Sequence, residues 1–267
     1  MNAFSRTELL FGADAMERLA KARVAVFGVG GVGGYAVEAL ARSGVGALDL
    51  VDDDTVCESN LNRQIIATRA TIGMPKVDAA EERIRLLNPD CRVTKHQKFY
   101  LPETAGEFDF SQYDYVIDAI DTVSGKLGLA EQAYASGTPI ISAMGAGNKL
   151  DPTAFRVADI EKTTVDPLAK VIRLECRKRR LGKVKVVFSE EQTLPPLQEE
   201  IEEAPTAARR TVPASCAAAT GKDRAGKACA GELCVCAVRG RADLSRRGHQ
   251  RSDRFAGTFL MGKELLC

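Results

Sequence analysis

Residues 24–27 form an unbroken apolar run that ends in Gly28, Gly30 and Gly33, after which Val32, Ala36, Val37 and Leu40 recur at helical spacing. The pattern predicts strand, glycine turn and helix. A second apolar run at 47–51 ends in Asp52, about 20 residues beyond the turn, as in a dinucleotide-type βαβ unit. Residues 68–87 place Val77, Ala80, Ile84 and Leu87 on one helical face, with Pro75 suited to a first helical position. Residues 92–96 and 113–117 read as further strands, 124–135 as a helix, and 139–143 as a fifth strand leading into a glycine-containing loop. Such alternation predicts an α/β fold, a Rossmann-like doubly wound and mostly parallel sheet covered on both faces. Upstream, Phe4, Leu9, Leu10, Phe11, Met16 and Leu19 suit one or two short amphipathic helices. From residue 151 the pattern changes to strands at 154–157 and 184–188 around a helix at 167–180 with a basic end, CRKRR.

Composition agrees with one large core and leaves room for a smaller C-terminal extension. The chain has 267 residues, 45% hydrophobic content and a formal net charge of +1. No apolar stretch approaches the ~18 residues of a membrane span, and the N-terminal MNAFSRTELLFG is too polar and too acidic for a signal or transit peptide. A cytoplasmic location without a membrane partner is the expectation. Cys57, Cys91 and Cys176 lie scattered through this α/β pattern and read as free thiols. The basic end of the helix at 167–180 reads as a solvated terminus favoured by the helix dipole, with a nucleic-acid patch as the other reading.

The chemistry starts at the glycine turn. Glycine lets the backbone approach a phosphate without a Cβ in the way, and the helix that follows offers unpaired N–H groups to the anion. Asp52 stands where a carboxylate accepts from ribose hydroxyls. A nicotinamide dehydrogenase has no evident use for Asn60, Asn62, Arg63 and Gln64 so soon after that acid. Lys76 falls at a helix start, unfavourable for a cation, so it is either a surface lysine or one that meets an anion. Asp118 and Asp121 end a buried strand, where open α/β sheets bind ligands, unless one of them caps the next helix. Arg6 is either a solvated arginine or one brought to a phosphate. Cys176 sits beside Arg177 and Lys178, which would lower its pKa, and is read as a bystander.

Together GVGGVGG, LVDDDTV, ESNLNRQ, GMPKVDAAEERIRLLNP and IDAID resemble the ubiquitin-activating-enzyme-like superfamily, specifically the ThiF/MoeB/HesA adenylating proteins, over roughly residues 3–190. VDPLAKVIRLECRKR followed by KVKVVFSEE looks most like the tRNA threonylcarbamoyladenosine dehydratases within it. The resemblance implies an ATP-binding adenylating domain at 1–190 with an N-terminal helical arm. It implies that Gly28, Gly30 and Gly33 line the ATP phosphates and that Asp52 holds the ribose. Asn60, Arg63 and Gln64 would surround the triphosphate, with Arg63 and Lys76 neutralising charge, Asp121 holding Mg²⁺, and Arg6 inserted into the neighbouring subunit of a homodimer. The implied reaction adenylates the threonyl carboxylate of N6-threonylcarbamoyladenosine at position 37 of tRNA, then closes a ring with loss of AMP. Sulfur-transfer proteins are further implied partners. The alternative is an adenylyltransferase for the C-terminal glycine of a ubiquitin-like sulfur carrier, and a plain dinucleotide-binding oxidoreductase or nucleotide sensor ranks behind both.

The end of the chain departs from that pattern. Residues 191–208 are acidic and proline-rich, as in a crossover loop, and residues 209–267 carry twelve Lys or Arg against five Asp or Glu. Cys216, Cys229, Cys234 and Cys236 are four thiols without a paired C-x-x-C, so structural zinc and no zinc both stay open. The basic tail leaves contact with RNA open as well. ARRTVPAS opens the family pattern, yet the apolar helix expected after it never arrives. A shifted reading frame or another replacement of the native end would give this composition, leaving the last ~50 residues short of the apolar area that offsets ordering entropy.

Overall fold

The computed structural model describes residues 2–195. The expectations for zinc, RNA contact, order and reading frame in the C-terminal segment fall on residues outside these. Seven strands form one sheet in the order β3-β2-β1-β4-β5-β7-β6. The strands are β1 (Arg23–Phe27), β2 (Ala47–Val51), β3 (Arg92–His96), β4 (Tyr115–Asp118), β5 (Ile140–Ala143), β6 (Phe155–Asp159) and β7 (Lys185–Ser189). All neighbours pair in parallel except β6, which runs antiparallel to β7 at the edge. The doubly wound α/β expectation holds, and the strand order reverses between β1 and β4, the switch point where such sheets bind ligands.

Six α-helices accompany the sheet within the described residues: α1 (Ser5–Phe11), α2 (Ala13–Lys21), α3 (Gly33–Arg42), α4 (Lys76–Leu87), α5 (Val123–Ser136) and α6 (Pro167–Lys178). Alternation along each strand decides which face each residue covers. Val24 and Val26 of β1, with Leu48 and Leu50 of β2, pack with Val37 and Leu40 of α3, Val77 and Ile84 of α4, and Leu19 of α2. Ala25 and Phe27 face the other way, toward Leu129 and Ala133 of α5. A third cluster joins α5 and α6 to β7 through Leu127, Ile172, Val186 and Phe188.

Element ends follow local chemistry. Asp166 caps α6 by accepting from Ala169 N at 2.9 Å, and Pro167 occupies the first turn. Gly137 closes α5 in the left-handed region at φ 72°. Pro75 is the N-cap of α4 rather than its first helical residue, so residues 69–73 are turns and the helix starts only at Lys76. Cys91 and Cys176 are buried, and loss of solvation pushes both thiols up to about 11. The basic neighbours of Cys176 do not offset its burial, which fits the reading of it as a bystander. No helix among the described residues is long and apolar enough to cross a membrane.

Phe27 is the hinge of the α5-side core. It is fully buried, with ring centroids 5.1 Å from Tyr100, 5.3 Å from Phe108 and 5.8 Å from Phe110. Because Phe27 directly precedes the glycine turn, this packing sets where the turn begins. Phe27→Ala should lower stability by about 3–5 kcal/mol, the usual cost of emptying a buried aromatic site. Urea denaturation of the full chain checks this, and a loss within 1 kcal/mol would mean that the cluster closes over the gap.

Candidate nucleotide-binding site

The carboxyl ends of β1, β2 and β4 meet in a tight turn. Gly28 has φ 86°, and a Cβ there would stand 2.6 Å from Ala119 O, on the turn leaving β4. A Cβ on Gly33 would fall 1.8 Å from Gly28 O. Both positions exclude any side chain because three backbones converge. Gly30 differs, since the nearest atom to its added Cβ is Gln64 Nε2 at 3.7 Å. The space above Gly30 is open, bordered by Gln64. The amides of Gly30, Gly31, Val32 and Gly33 donate to no acceptor among the described residues, as expected of a helix start able to receive an anion.

Asp52, at the end of β2, closes one side of this cradle. Its Oδ2 accepts from Val29 N at 2.7 Å and its Oδ1 from Asp54 N at 3.0 Å. Burial raises its carboxyl above the ordinary range, against the opposing pull of Lys76 and the two amides. Lys76, buried at the start of α4, donates to Asp54 Oδ2 at 2.6 Å and lies 3.7 Å from Asp52 Oδ1. Lost solvation by itself favours its neutral amine, but Asp52 and Asp54 outweigh that and hold its pKa above the usual lysine value. The lysine at the unfavourable helix end does meet an anion, and the anion includes protein carboxylates.

The polar stretch after Asp52 folds back onto the cradle. Asn60 is buried, and its Oδ1 accepts from Cys57 N at 3.1 Å. Gln64 is also buried, and its Oε1 has no hydrogen-bond partner among the described residues. Gln64 borders the space over Gly30 through its Nε2, while its Oε1 is a buried polar atom left without a partner. Arg63 is half-buried and donates through Nη1 to Ser59 O at 3.0 Å and Asn62 Oδ1 at 3.2 Å.

Asp121 is exposed on the turn after β4, and the cap of α5 is Thr122, without a side-chain bond, so neither acid of the pair caps the helix. Across the crevice, partial burial and then the charge of Asp54 push the Asp53 carboxyl upward, and Asp121 adds a smaller push the same way. Asp118 is fully buried and held by Ser142 and Lys126, so it does not face the crevice. Arg6 is exposed and makes no bond to a cradle residue. Phe4, the N-cap of its helix, packs where Gly44 precedes β2, at the opposite end of the sheet. The fold thus gathers Gly28, Gly30, Gly33, Asp52, Asn60, Gln64 and Lys76 around one cradle, sets Arg63 and Asp121 on its flanking turns, and leaves Arg6 apart. Sequence reasoning missed Asp53, Asp54 and the buried Asp118–Lys126 pair. The signal for the last was a lone lysine inside the otherwise uncharged VSGKLGLA.

Comparison with known proteins bears on this geometry. The ThiF family pattern matches residues 4–193. A tRNA threonylcarbamoyladenosine dehydratase of Bacillus subtilis (strain 168) is 49% identical over 195 residues, covering 73% of this chain and 77% of the relative. Its counterpart in Escherichia coli (strain K12) is 44% identical over 182 residues, 68% of each chain. The crystal structure of the E. coli enzyme, TcdA, in complex with ATP is similar at a TM-score of 0.69 and 42% identity, covering 72% of this chain and 83% of that one.

Two glycines separate the cradle from the scaffold. Gly30→Ala should keep the melting temperature within about 2 °C of wild type, because its methyl enters open space, yet weaken ATP binding at least about tenfold. Gly33→Ala should cost about 1–3 kcal/mol of stability through backbone collision. Calorimetric ATP titration and thermal unfolding distinguish the two, and unchanged ATP affinity in Gly30→Ala would remove Gly30 from the site.

Proposed function

Since the chain belongs to the ThiF family, we propose that it is an ATP-dependent tRNA threonylcarbamoyladenosine dehydratase. Relatives at 44–49% identity carry that activity in their names, and the similar E. coli enzyme binds ATP and AMP in its crystal structures. The observation that carries the reading is the cradle itself: backbone donors at residues 30–33 with no acceptor among the described residues, open space over Gly30 bordered by Gln64 Nε2, and a buried cation at Lys76.

In this reading the amides at the start of α3 bind phosphate oxygens and Asp52 accepts from the ribose. Lys76 already sits between Asp52 and Asp54, so a phosphate oxygen entering there replaces part of an existing charge network and requires little reorganisation. Arg63 turns from its backbone acceptor toward the triphosphate. An oxygen of the threonyl carboxylate attacks the α-phosphorus, and the bond to the β-phosphate oxygen breaks with release of pyrophosphate. A nucleophile within the same modified base then attacks the acyl carbon, and the acyl–oxygen bond breaks with release of AMP. The net change is loss of one water from the nucleoside. Holding both reactants in one crevice makes attack of an anion on a polyanion feasible, and ring closure within one base needs no enzyme nucleophile. That suits a chain whose Cys91 and Cys176 are buried with raised pKa values.

Asp121 and Asp53 bring hard oxygen donors near one another, which suits Mg²⁺ shared with nucleotide phosphates. No group of three or more His, Cys, Asp or Glu among the described residues could hold a metal alone, so phosphates would complete the coordination. Bound there, the ion would neutralise phosphate charge. Arg6, exposed and remote from its own cradle, is assigned to the cradle of a second copy in a homodimer. The cytoplasm is the location proposed, with sulfur-transfer proteins as further partners.

The test is incubation of the full chain with ATP, Mg²⁺ and tRNA carrying threonylcarbamoyladenosine. AMP, pyrophosphate and a nucleoside lighter by one water are expected, and Arg63→Ala and Asp121→Ala should each lower turnover by at least about a hundredfold while the fold persists. Pyrophosphate release provoked only by a sulfur carrier protein would establish the alternative, and full activity in both variants would refute the roles given to these residues.

A further inference from the structure

Two buried lysines grip one short segment at the carboxyl end of the sheet. Lys126 Nζ on α5 donates to Asp118 Oδ1 at 3.1 Å and to Ala143 O at 2.6 Å. Lys149 Nζ donates to Asp166 Oδ2 at 2.9 Å and to Gly145 O at 2.7 Å. Each lysine side chain is 1% exposed and each aspartate 0%. Pairs this deep lose solvation that their attraction barely recovers, so their main effect is geometric. The two carbonyls they hold lie two residues apart, on the strand end and loop that leave β5.

The pins reach from different elements. Asp118 also accepts from Ile120 N at 3.3 Å, within the turn that presents Asp121, and from Ser142 Oγ of β5. Asp166 is the cap of α6. The exits of β4 and β5 and the start of α6 are therefore tied into one unit. On the far side of residues 145–148, Leu194 N donates to Asn148 O at 2.9 Å, and Glu191 accepts from Leu150 N and Asp151 N.

Residues 145–148, Gly-Ala-Gly-Asn, are half-exposed and offer little side chain, so a ligand meets backbone there. The amides of Gly145, Ala146 and Gly147 donate to no acceptor among the described residues. By strand order the crevice runs from the phosphate cradle on β1, past Asp121 on β4, to this loop on β5. On the adenylating reading ATP would lie at the first of these, which leaves the last for the second substrate that attacks the α-phosphate.

We propose that residues 145–148 form the wall that receives the carboxylate-bearing nucleoside, and that Lys126 and Lys149 are positioning residues, Lys126 holding this wall against the turn bearing Asp121 and Lys149 holding it against the start of α6. The proposal rests on the adenylating reading given above and deepens it. Flat, side-chain-poor backbone accommodates the face of a base, and its unbonded amides can donate to carboxylate oxygens.

The experiment uses the full chain, Lys149→Met, Lys149→Arg, and the charge-balanced double variant Lys149→Met/Asp166→Asn, in which asparagine still caps α6. ATP affinity is read by calorimetry, and kcat and KM are read with tRNA carrying threonylcarbamoyladenosine. Lys149→Met and the double variant should raise KM for the tRNA at least about tenfold while ATP affinity stays within about twofold, and Lys149→Arg should recover part of the loss. Wild-type KM in the double variant, or a parallel loss of ATP affinity, would overturn the proposal. So would global unfolding of both Met variants, which would make the pair a purely structural element. Failure of the adenylating reading shows separately, as a wild-type chain that does not act on the modified tRNA, and the proposal then falls with it.

Discussion

Three stretches of backbone meet where the first strand ends, and they meet too closely for any side chain. Gly28 lies against the carbonyl of Ala119, and Gly33 against the carbonyl of Gly28, so β1, α3 and the turn leaving β4 pack with no room for a side chain, while Ala119 N donates to Phe27 O at 2.7 Å. The aromatic packing of Phe27 anchors this junction from below. Everything proposed for the site depends on it, because the junction sets the distance between the phosphate cradle on one strand and Asp121 on the next. A β-carbon at either glycine would push the strands' exits apart before it touched a ligand.

Around that junction the charges follow a consistent logic. Buried lysines lie where the fold needs fixed positive charge or a fixed carbonyl, and each has a carboxylate beside it. Lys76 is paired with Asp54 at the crevice and sits near Asp52, so it can exchange protein carboxylate for phosphate. Lys126 and Lys149 are sealed away with Asp118 and Asp166, and each also donates to a backbone carbonyl. The first kind of pairing suits ligand exchange and the second suits rigidity. Burial is what separates them: Asp54 is 45% exposed, whereas Asp118 and Asp166 are at 0%.

Much of this was legible in the sequence because it depends on local pattern. The glycine turn, the alternation of strands and helices and the acid at the end of β2 follow from period and residue type, and the structure places each within a few residues. Lys76 was legible as an anomaly, a cation at a helix start, and the anomaly had a physical cause. The tertiary pairs were not legible. Lys149 and Asp166 are separated by an antiparallel edge strand, and Lys126 reaches Ala143 across 17 residues. Neither partnership leaves a periodic trace, so only the fold reveals which lysine is buried and which carbonyl it holds. Boundary differences had the same origin: Pro75 became a cap because Thr55 bridges to it across the loop, which sequence periodicity does not register.

The central claim is that an oxygen of the substrate's carboxylate attacks the α-phosphorus of ATP held at this junction. Supplying tRNA whose threonyl carboxylate is enriched in heavy oxygen, and weighing the AMP released by mass spectrometry, tests it directly. The account predicts one heavy oxygen in each AMP, because the bond later broken lies between the acyl carbon and that oxygen. AMP that carries only light oxygen would contradict it.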